Sequence, residues 1–216
     1  MARRIQSLQE EIANALTHGL GIVFCLVAIP VMVLCAMQTS NASMVWAVGI
    51  FGFGMLMVYS SSTLYHYAKN TETKRILRIW DHISIFILIA GSYTPLVIKY
   101  TDFKTSVVFL SVMWSIVALG TLMKIFFTGR FNLLSTILYL AMGWMAVFII
   151  KPITANMPPQ VFYLVIATGL AYTVGVIFYL WHKLQYHHAI WHLFVLTGTV
   201  THFFAVYNSI PINIKA

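Results

Sequence analysis

Long apolar runs joined by short polar links make up most of the sequence. Seven of these runs are each about 20 residues long, the length that a helix needs to cross the hydrocarbon core of a bilayer. They are continuously apolar, whereas a membrane β-strand alternates apolar and polar positions. The pattern therefore predicts seven membrane-spanning helices, approximately at residues 15–37, 44–65, 80–99, 105–123, 133–150, 161–181 and 189–207.

The composition agrees with a membrane protein and leaves no room for a separate soluble domain. The chain has 216 residues, of which 60% are hydrophobic and only 8% are charged. We predict one all-α domain over residues 1–216, an integral membrane bundle of seven helices. A short amphipathic segment at about residues 3–14 precedes the first span. Glu11, Asn14 and His18 fall along the polar face of that approach.

Basic residues are distributed unequally between the two sets of links. On the predicted topology, nine of the 13 lysines and arginines lie at the side of the amino terminus. The positive-inside rule then places the amino terminus in the cytoplasm and the carboxyl terminus outside. Topology and anionic lipid headgroups account for the net charge of +8, so no nucleic-acid partner is needed. The nine are Arg3, Arg4, Lys69, Lys74, Arg75, Arg78, Lys124, Arg130 and Lys183.

Polar residues from three predicted helices converge at the cytoplasmic edge. His66 ends the second span, Asp81 begins the third, and His188 begins the seventh. His188 and His192 are separated by one turn, so their rings project from one helical face. Ser62 and His192 each lie one turn deeper than the edge. Polar side chains are costly in lipid, which makes their coincidence at one depth a sign of function.

The spacing favours an open zinc site. His188 and His192 offer two nitrogens to one ion and His66 offers a third, with water completing the arrangement used by hydrolytic zinc enzymes. Asp81 would orient or deprotonate the bound water, whose pKa zinc lowers to about 7. Ser62 would hydrogen-bond the water or an attacked carbonyl. Glu11, Asn14 and His18 are candidates to support the metal ligands.

Each position also has a simpler interpretation. The pair His188 and His192 is compatible with interfacial side chains at the start of a membrane helix. Asp81 is suited to a headgroup boundary or a helix amino terminus. Ser62 lies in a run of small hydroxyl residues that favour close helix packing in lipid. The shared depth of these residues on three helices favours the metal site over three independent explanations, although imidazoles also bind transition ions other than zinc.

An ordered set of motifs covers nearly the whole chain. The motifs are Glu11-x-x-Asn14-x-x-Thr17-His18-Gly19, Ser62-Thr63-Leu64-Tyr65-His66, Asp81 with Ala90-Gly91-Ser92-Tyr93-Thr94-Pro95, Tyr139-Leu140-Ala141-Met142-Gly143-Trp144, and His188-Ala189-Ile190-Trp191-His192. Together they resemble the hemolysin III branch of the progestin and adipoQ receptor family.

The resemblance carries its own expectations. It implies a seven-helix bundle with a cytoplasmic amino terminus and zinc held by His66, His188 and His192. In the receptor branch, an aspartate equivalent to Asp81 contacts zinc-bound water, and hydrolysis of lipid amides such as ceramide has been proposed. For the bacterial branch it implies a role in membrane lipid homeostasis, an older association with hemolysis, and the bacterial cytoplasmic (inner) membrane as location.

Three functions stay open at this point. The first is a zinc-dependent hydrolase of lipid amides or esters, in which Asp81 handles the proton and Ser62 helps to hold the oxyanion. The second is a non-enzymatic sensor or regulator of the membrane state, with zinc in a structural role. The third, a pore-forming hemolysin, is disfavoured because the spans contain no periodic charged lining. Membrane lipids are the expected partners.

Overall fold

The computed structural model describes residues 6–127 and 129–210, and the regular structure within those ranges is entirely helical. Seven stretches are long and apolar enough to cross a membrane, which confirms the predicted fold class. Arg3, Arg4 and Lys215, which entered the charge comparison, lie outside the described residues, and the sidedness of the bundle stays a prediction. The helices are α1 (Leu8–Met37), α2 (Ala42–Tyr67), α3 (Thr71–Tyr100), α4 (Phe103–Phe127), α5 (Asn132–Gly143), α6 (Ile150–Asn156), α7 (Pro159–Leu180) and α8 (His187–Tyr207).

The first helix begins earlier than the apolar run that identified it. Ser7 caps α1: its hydroxyl accepts a hydrogen bond from the Glu10 amide at 3.3 Å, and Glu10 Oε2 accepts one from the Ser7 amide at 2.8 Å. This reciprocal capping satisfies two amides that the helix itself leaves unpaired. Residues 3–5 of the predicted amphipathic segment lie outside the described ranges. Residues 8–14 form the first turns of α1 and continue directly into the span.

The fifth span, predicted as one run over 133–150, is interrupted. A 3₁₀ segment, Met145–Ile149, separates α5 from α6. The Tyr93 hydroxyl on α3 donates a hydrogen bond to the Gly143 carbonyl at 2.6 Å and accepts one from the Ala146 amide at 3.3 Å. In lipid an unsatisfied backbone group costs several kcal/mol, so these two bonds make the interruption tolerable.

Close packing of α2 against α3 sets the centre of the bundle. A Cβ atom at Gly54 would lie only 3.0 Å from the Leu88 Cα atom, and one at Gly91 would lie 3.2 Å from the Ile50 carbonyl oxygen. Glycine at these positions allows the two backbones to approach, as is common between membrane helices.

The other helices surround this pair: α1 packs on α2 and α8, while α3 also contacts α4, α5 and α6. The ends of α2 and α7 and the beginnings of α1, α3 and α8 therefore meet at one end, which we call the histidine end.

We predict that Gly54→Val lowers the melting temperature of the purified protein by several degrees. The new side chain would collide with backbone atoms of α3, and overpacking of this kind typically costs about 1–3 kcal/mol. The matched control is Gly49→Val on the same helix, because a Cβ atom at Gly49 meets nothing within 4 Å. Equal melting temperatures for the two variants in detergent would contradict the close approach.

Candidate metal centre

Three histidines from two helices meet at the histidine end. His66 lies in the last turn of α2, and His188 and His192 lie in the first turns of α8. One ring nitrogen from each lies within 4.8 Å of the other two. His66 and His192 are only 6% and 2% exposed, and His188 is half-buried. The sequence prediction that these three rings come together is therefore satisfied by the geometry, and the group could hold a metal ion.

The amino-terminal helix fixes where α8 begins. Tyr186, the residue before α8, has a φ of 57°, in the left-handed region that few residues other than glycine adopt readily. Its amide donates a hydrogen bond to Glu10 Oε1 at 3.0 Å. Glu10 is 1% exposed and also caps its own helix through Ser7. One buried carboxylate thus joins the start of α1 to the start of α8.

A carboxylate on α1 orients His66. The ring Nδ1 atom donates to Glu11 Oε2 at 2.8 Å, and Glu11 Oε1 accepts from Lys74 Nζ at 2.8 Å. This arrangement assigns the proton to Nδ1, so the lone pair of Nε2 is available to bind a metal ion. Nε2 is buried and has no hydrogen-bond partner within residues 6–127 and 129–210. Because metal-binding histidines commonly donate their other nitrogen to a carboxylate or carbonyl, His66 is well prepared to bind an ion.

The same helix orients His192. Its Nδ1 atom lies 3.1 Å from the Asn14 carbonyl oxygen and 3.2 Å from Thr17 Oγ1, and donates toward these acceptors. Asn14 contributes its backbone here, while its side-chain amide donates to Gln6 Oε1 at 2.8 Å. The three rings form a triangle: the His188 centroid lies 5.1 Å from that of His66 and 4.5 Å from that of His192, and the His66 and His192 centroids are 5.2 Å apart.

His18 touches the cluster without joining it. Its ring stacks on His192 with centroids 3.5 Å apart, and it meets the Tyr59 ring at 90° with centroids 5.2 Å apart. His18 is not in the group of three that could share an ion. Both His18 nitrogens are buried and lack a hydrogen-bond partner in the described part of the chain. His18 therefore supports the His192 ring through stacking.

The two residues predicted to act on a substrate lie near the cluster in different surroundings. Asp81 lines the same cavity as the three histidines, and its Oδ2 atom is 3.9 Å from His82 Nδ1. Ser62 is fully buried one turn before His66. Its hydroxyl has no hydrogen-bond partner among the described residues, and it is not one of the residues that line the cavity. The catalytic roles of Asp81 and Ser62 stay predictions.

A cavity of about 610 Å³ extends from the histidines into the bundle. Its histidine end is polar, and its further course is bounded mainly by apolar residues of α3, the interrupted fifth span and α7. His202 marks its deeper part and donates from Nε2 to the Ser92 carbonyl at 2.9 Å. The apolar part is lined by residues including Ile85, Leu88, Leu96, Leu140, Val147, Ile153, Met157, Phe162 and Val165.

The chemistry of the site fits a borderline transition-metal ion. Imidazole suits zinc, copper, iron and nickel, and the group of three contains neither a cysteine nor a carboxylate among the described residues. Sequence reasoning identified Glu11 and Asn14 near the ligands but missed Lys74 and Glu10. Both belong to charged stretches at a predicted membrane boundary, where the pattern gives no signal to separate them from their neighbours.

The chain is similar to known proteins over most of its length. Residues 6–203 match the model of the family described as haemolysin-III related. The chain is 42% identical over 200 residues to a hemolysin-3 homolog of Bacillus subtilis (strain 168), covering 93% of this chain and 94% of that protein. It is 40% identical over 206 residues to hemolysin-3 of Bacillus cereus, covering 95% and 94%. It is also 24% identical over 209 residues to the human monocyte to macrophage differentiation factor, covering 92% and 84%.

We predict that Glu11→Ala weakens metal binding by about tenfold to a hundredfold, because His66 loses the acceptor that orients its ring. Competition with a chromophoric chelator measures the dissociation constant. Glu72→Ala is the matched control, since Glu72 is an exposed carboxylate on α3 that pairs with Arg75. Indistinguishable affinities of the wild-type protein and Glu11→Ala would show that α1 does not support the metal ligands.

Proposed function

Since the chain belongs to the haemolysin-III related family of multi-pass membrane proteins, we propose that it binds zinc and hydrolyses an amide or ester bond of a membrane lipid. His66, His188 and His192 would hold the ion. The proposed location is a bacterial cytoplasmic (inner) membrane with the histidine end facing the cytoplasm. The basic links at that end support this orientation through the positive-inside rule.

One observation carries the proposal: the three histidines open into a large apolar cavity and bring no fourth protein ligand of the histidine, cysteine or carboxylate type among the described residues. Structural zinc sites are normally closed by four protein ligands, whereas catalytic sites have three and an open position. A volume of about 610 Å³ is also in the range of small-molecule binding sites. The combination favours chemistry on an apolar ligand.

Each group at the site has a separate role in the proposed hydrolysis. When bound, zinc acts as a Lewis acid toward a carbonyl oxygen and makes water a better nucleophile. Glu11 and the Asn14 carbonyl hold the rings of His66 and His192 in one orientation. Asp81, at the polar end of the cavity, would accept the proton from the attacking water and return it to the leaving group.

The cavity and Ser62 supply the remaining functions. The apolar walls bind the hydrocarbon part of the lipid and exclude bulk water, which strengthens electrostatic interactions inside. In this proposal the Ser62 hydroxyl, which does not line the cavity, hydrogen-bonds the water at the metal centre. Its position one turn from His66 and its unused buried hydroxyl, within the described part of the chain, support that role.

A second candidate is a non-enzymatic sensor of the membrane state. The specific observation in its favour is that the metal group joins α2 to α8, while α1 contacts ligands on both helices. A metal ion would thus tie three helices together at one end. In that case chelation would lower the melting temperature of the protein strongly, and no lipid would be turned over.

We predict that the purified protein hydrolyses labelled ceramide or a labelled glycerolipid ester, and that His192→Ala and Asp81→Asn each reduce the rate by at least about a hundredfold. Mass spectrometry of the released fatty acid measures turnover. Asp102→Asn is the control, since Asp102 is an exposed carboxylate in the link between α3 and α4, at the other end of α3 from the histidines. Turnover that persists in both site variants would refute the mechanism, and metal-dependent stability without turnover would favour the sensor.

A further inference from the structure

Lys74 connects a third helix to the residues that orient the metal ligands. Its Nζ atom donates a hydrogen bond to Glu11 Oε1 at 2.8 Å, and Glu11 Oε2 accepts one from His66 Nδ1 at 2.8 Å. The ammonium group also lies 5.1 Å from the centroid of the Tyr65 ring, whose own centroid is 4.8 Å from that of His66. Lys74 on α3 thus contacts one residue of α1 and one of α2, and both of these residues contact His66.

The stability of α3 does not explain why a lysine stands at this position. Lys74 lies in the first turn of α3, which begins at Thr71. The start of a helix carries partial positive charge, so a cation there is unfavourable unless an anion compensates it. Glu11 supplies that anion from α1. The position of the lysine is therefore explained by its contact with Glu11.

Glu11 needs a second partner to keep its bond to His66. The side chain of Glu11 is 22% exposed, whereas that of His66 is 2% exposed. A partly exposed carboxylate can rotate its oxygens toward water, and His66 Nδ1 would then lose this acceptor. Lys74 binds the oxygen that His66 does not use, so both oxygens of Glu11 are held. Partly exposed ion pairs contribute little to stability, so we expect the main effect of this pair to be on orientation.

We propose that Lys74 is a positioning residue for the metal centre, which acts through Glu11 on His66. Lys74 also lies two turns before Asp81, which lines the cavity, while Lys74 itself does not. Its bond to Glu11 therefore ties the helix that carries Asp81 to the residue that orients a metal ligand. The proposal rests on metal binding by His66, as in the proposed function, and it does not depend on hydrolysis.

Two effects of Lys74 on a bound metal ion have opposite signs. Its positive charge repels a divalent cation, so removal of the charge alone would strengthen metal binding. Its contact with Glu11 keeps the Nε2 lone pair of His66 directed at the ion, so loss of this contact would weaken binding. The charge is partly exposed and already paired, which reduces the repulsion. We therefore expect weaker binding, and the sign of the change separates positioning from charge.

The first measurement is the affinity of the purified, metal-free protein for zinc, by competition with a chromophoric chelator. Lys74→Met should raise the dissociation constant about fivefold to tenfold, at or below the lower limit of the range for the direct partner Glu11. Lys74→Arg retains a cationic donor and should restore most of the affinity. In the Glu11→Ala background Lys74→Met should have no further effect, because Lys74 acts through Glu11.

The second measurement needs no metal. Proton NMR of the metal-free protein follows the proton on His66 Nδ1, whose signal is assigned by its absence in His66→Gln. The bond to Glu11 should slow the exchange of this proton with water in the wild-type protein and in Lys74→Arg. Lys74→Met should accelerate the exchange, while the melting temperature of the metal-free protein stays unchanged.

Lys69→Met is the matched control, since Lys69 is an exposed lysine in the link between α2 and α3. This variant should match the wild-type protein in both measurements. Unchanged proton exchange in Lys74→Met, tighter zinc binding, or equal changes in Lys69→Met would each overturn the proposal. If the wild-type protein binds no zinc, the proposed function fails, and the NMR measurement still decides whether Lys74 orients His66.

Discussion

The hydrogen bonds that two histidine rings donate to acceptors at the start of α1 are the interactions on which the rest of the site depends. Glu11 accepts from His66, and the Asn14 carbonyl accepts from His192. Each bond occupies one ring nitrogen and turns the other toward the cluster. The rings come from helices that are far apart in sequence, and within residues 6–127 and 129–210 the hydrogen-bond partners of both Nδ1 atoms lie on α1. The capping of α1 by Ser7 and Glu10 is therefore part of the site.

The closely packed helices and the cavity lie in different parts of the bundle. Glycines bring α2 and α3 into backbone contact, which holds the helix carrying His66 against the helix carrying Asp81. The interrupted fifth span lies on the other side of α3 and lines the cavity instead of filling it. Tyr93 compensates the interruption with two hydrogen bonds. The polar histidine cluster thus lies beside two closely packed helices and opens into a mainly apolar cavity.

The sequence predicted the number of spans and the three histidines, because both leave direct signals. Apolar length identifies a span, and i, i+4 spacing places His188 and His192 on one face. The interruption after Gly143 leaves no such signal, since the chain stays apolar while its hydrogen bonding changes. The apolar run also did not predict that α3 begins as early as Thr71, because the first turns of this helix are polar.

Contacts between residues that are far apart in the sequence could not be predicted from the residue pattern either. Lys74 and Arg78 belong to one basic stretch, and only the fold shows that Lys74 pairs with Glu11 while Arg78 faces the cavity. Asn14 was expected as a polar side chain, but its contribution to His192 comes from the backbone carbonyl. Backbone contributions of this kind depend on helix position and not on residue type, so composition and spacing cannot reveal them.

The central claim is that His66, His188 and His192 hold one metal ion with an open position. X-ray absorption spectroscopy at the metal edge of protein purified without added metal tests it most directly. The account predicts one zinc ion per chain, with three imidazole nitrogens at about 2.0–2.1 Å and one further oxygen donor not provided by a protein side chain. Absence of stoichiometric metal, or a shell of four protein ligands, would contradict it.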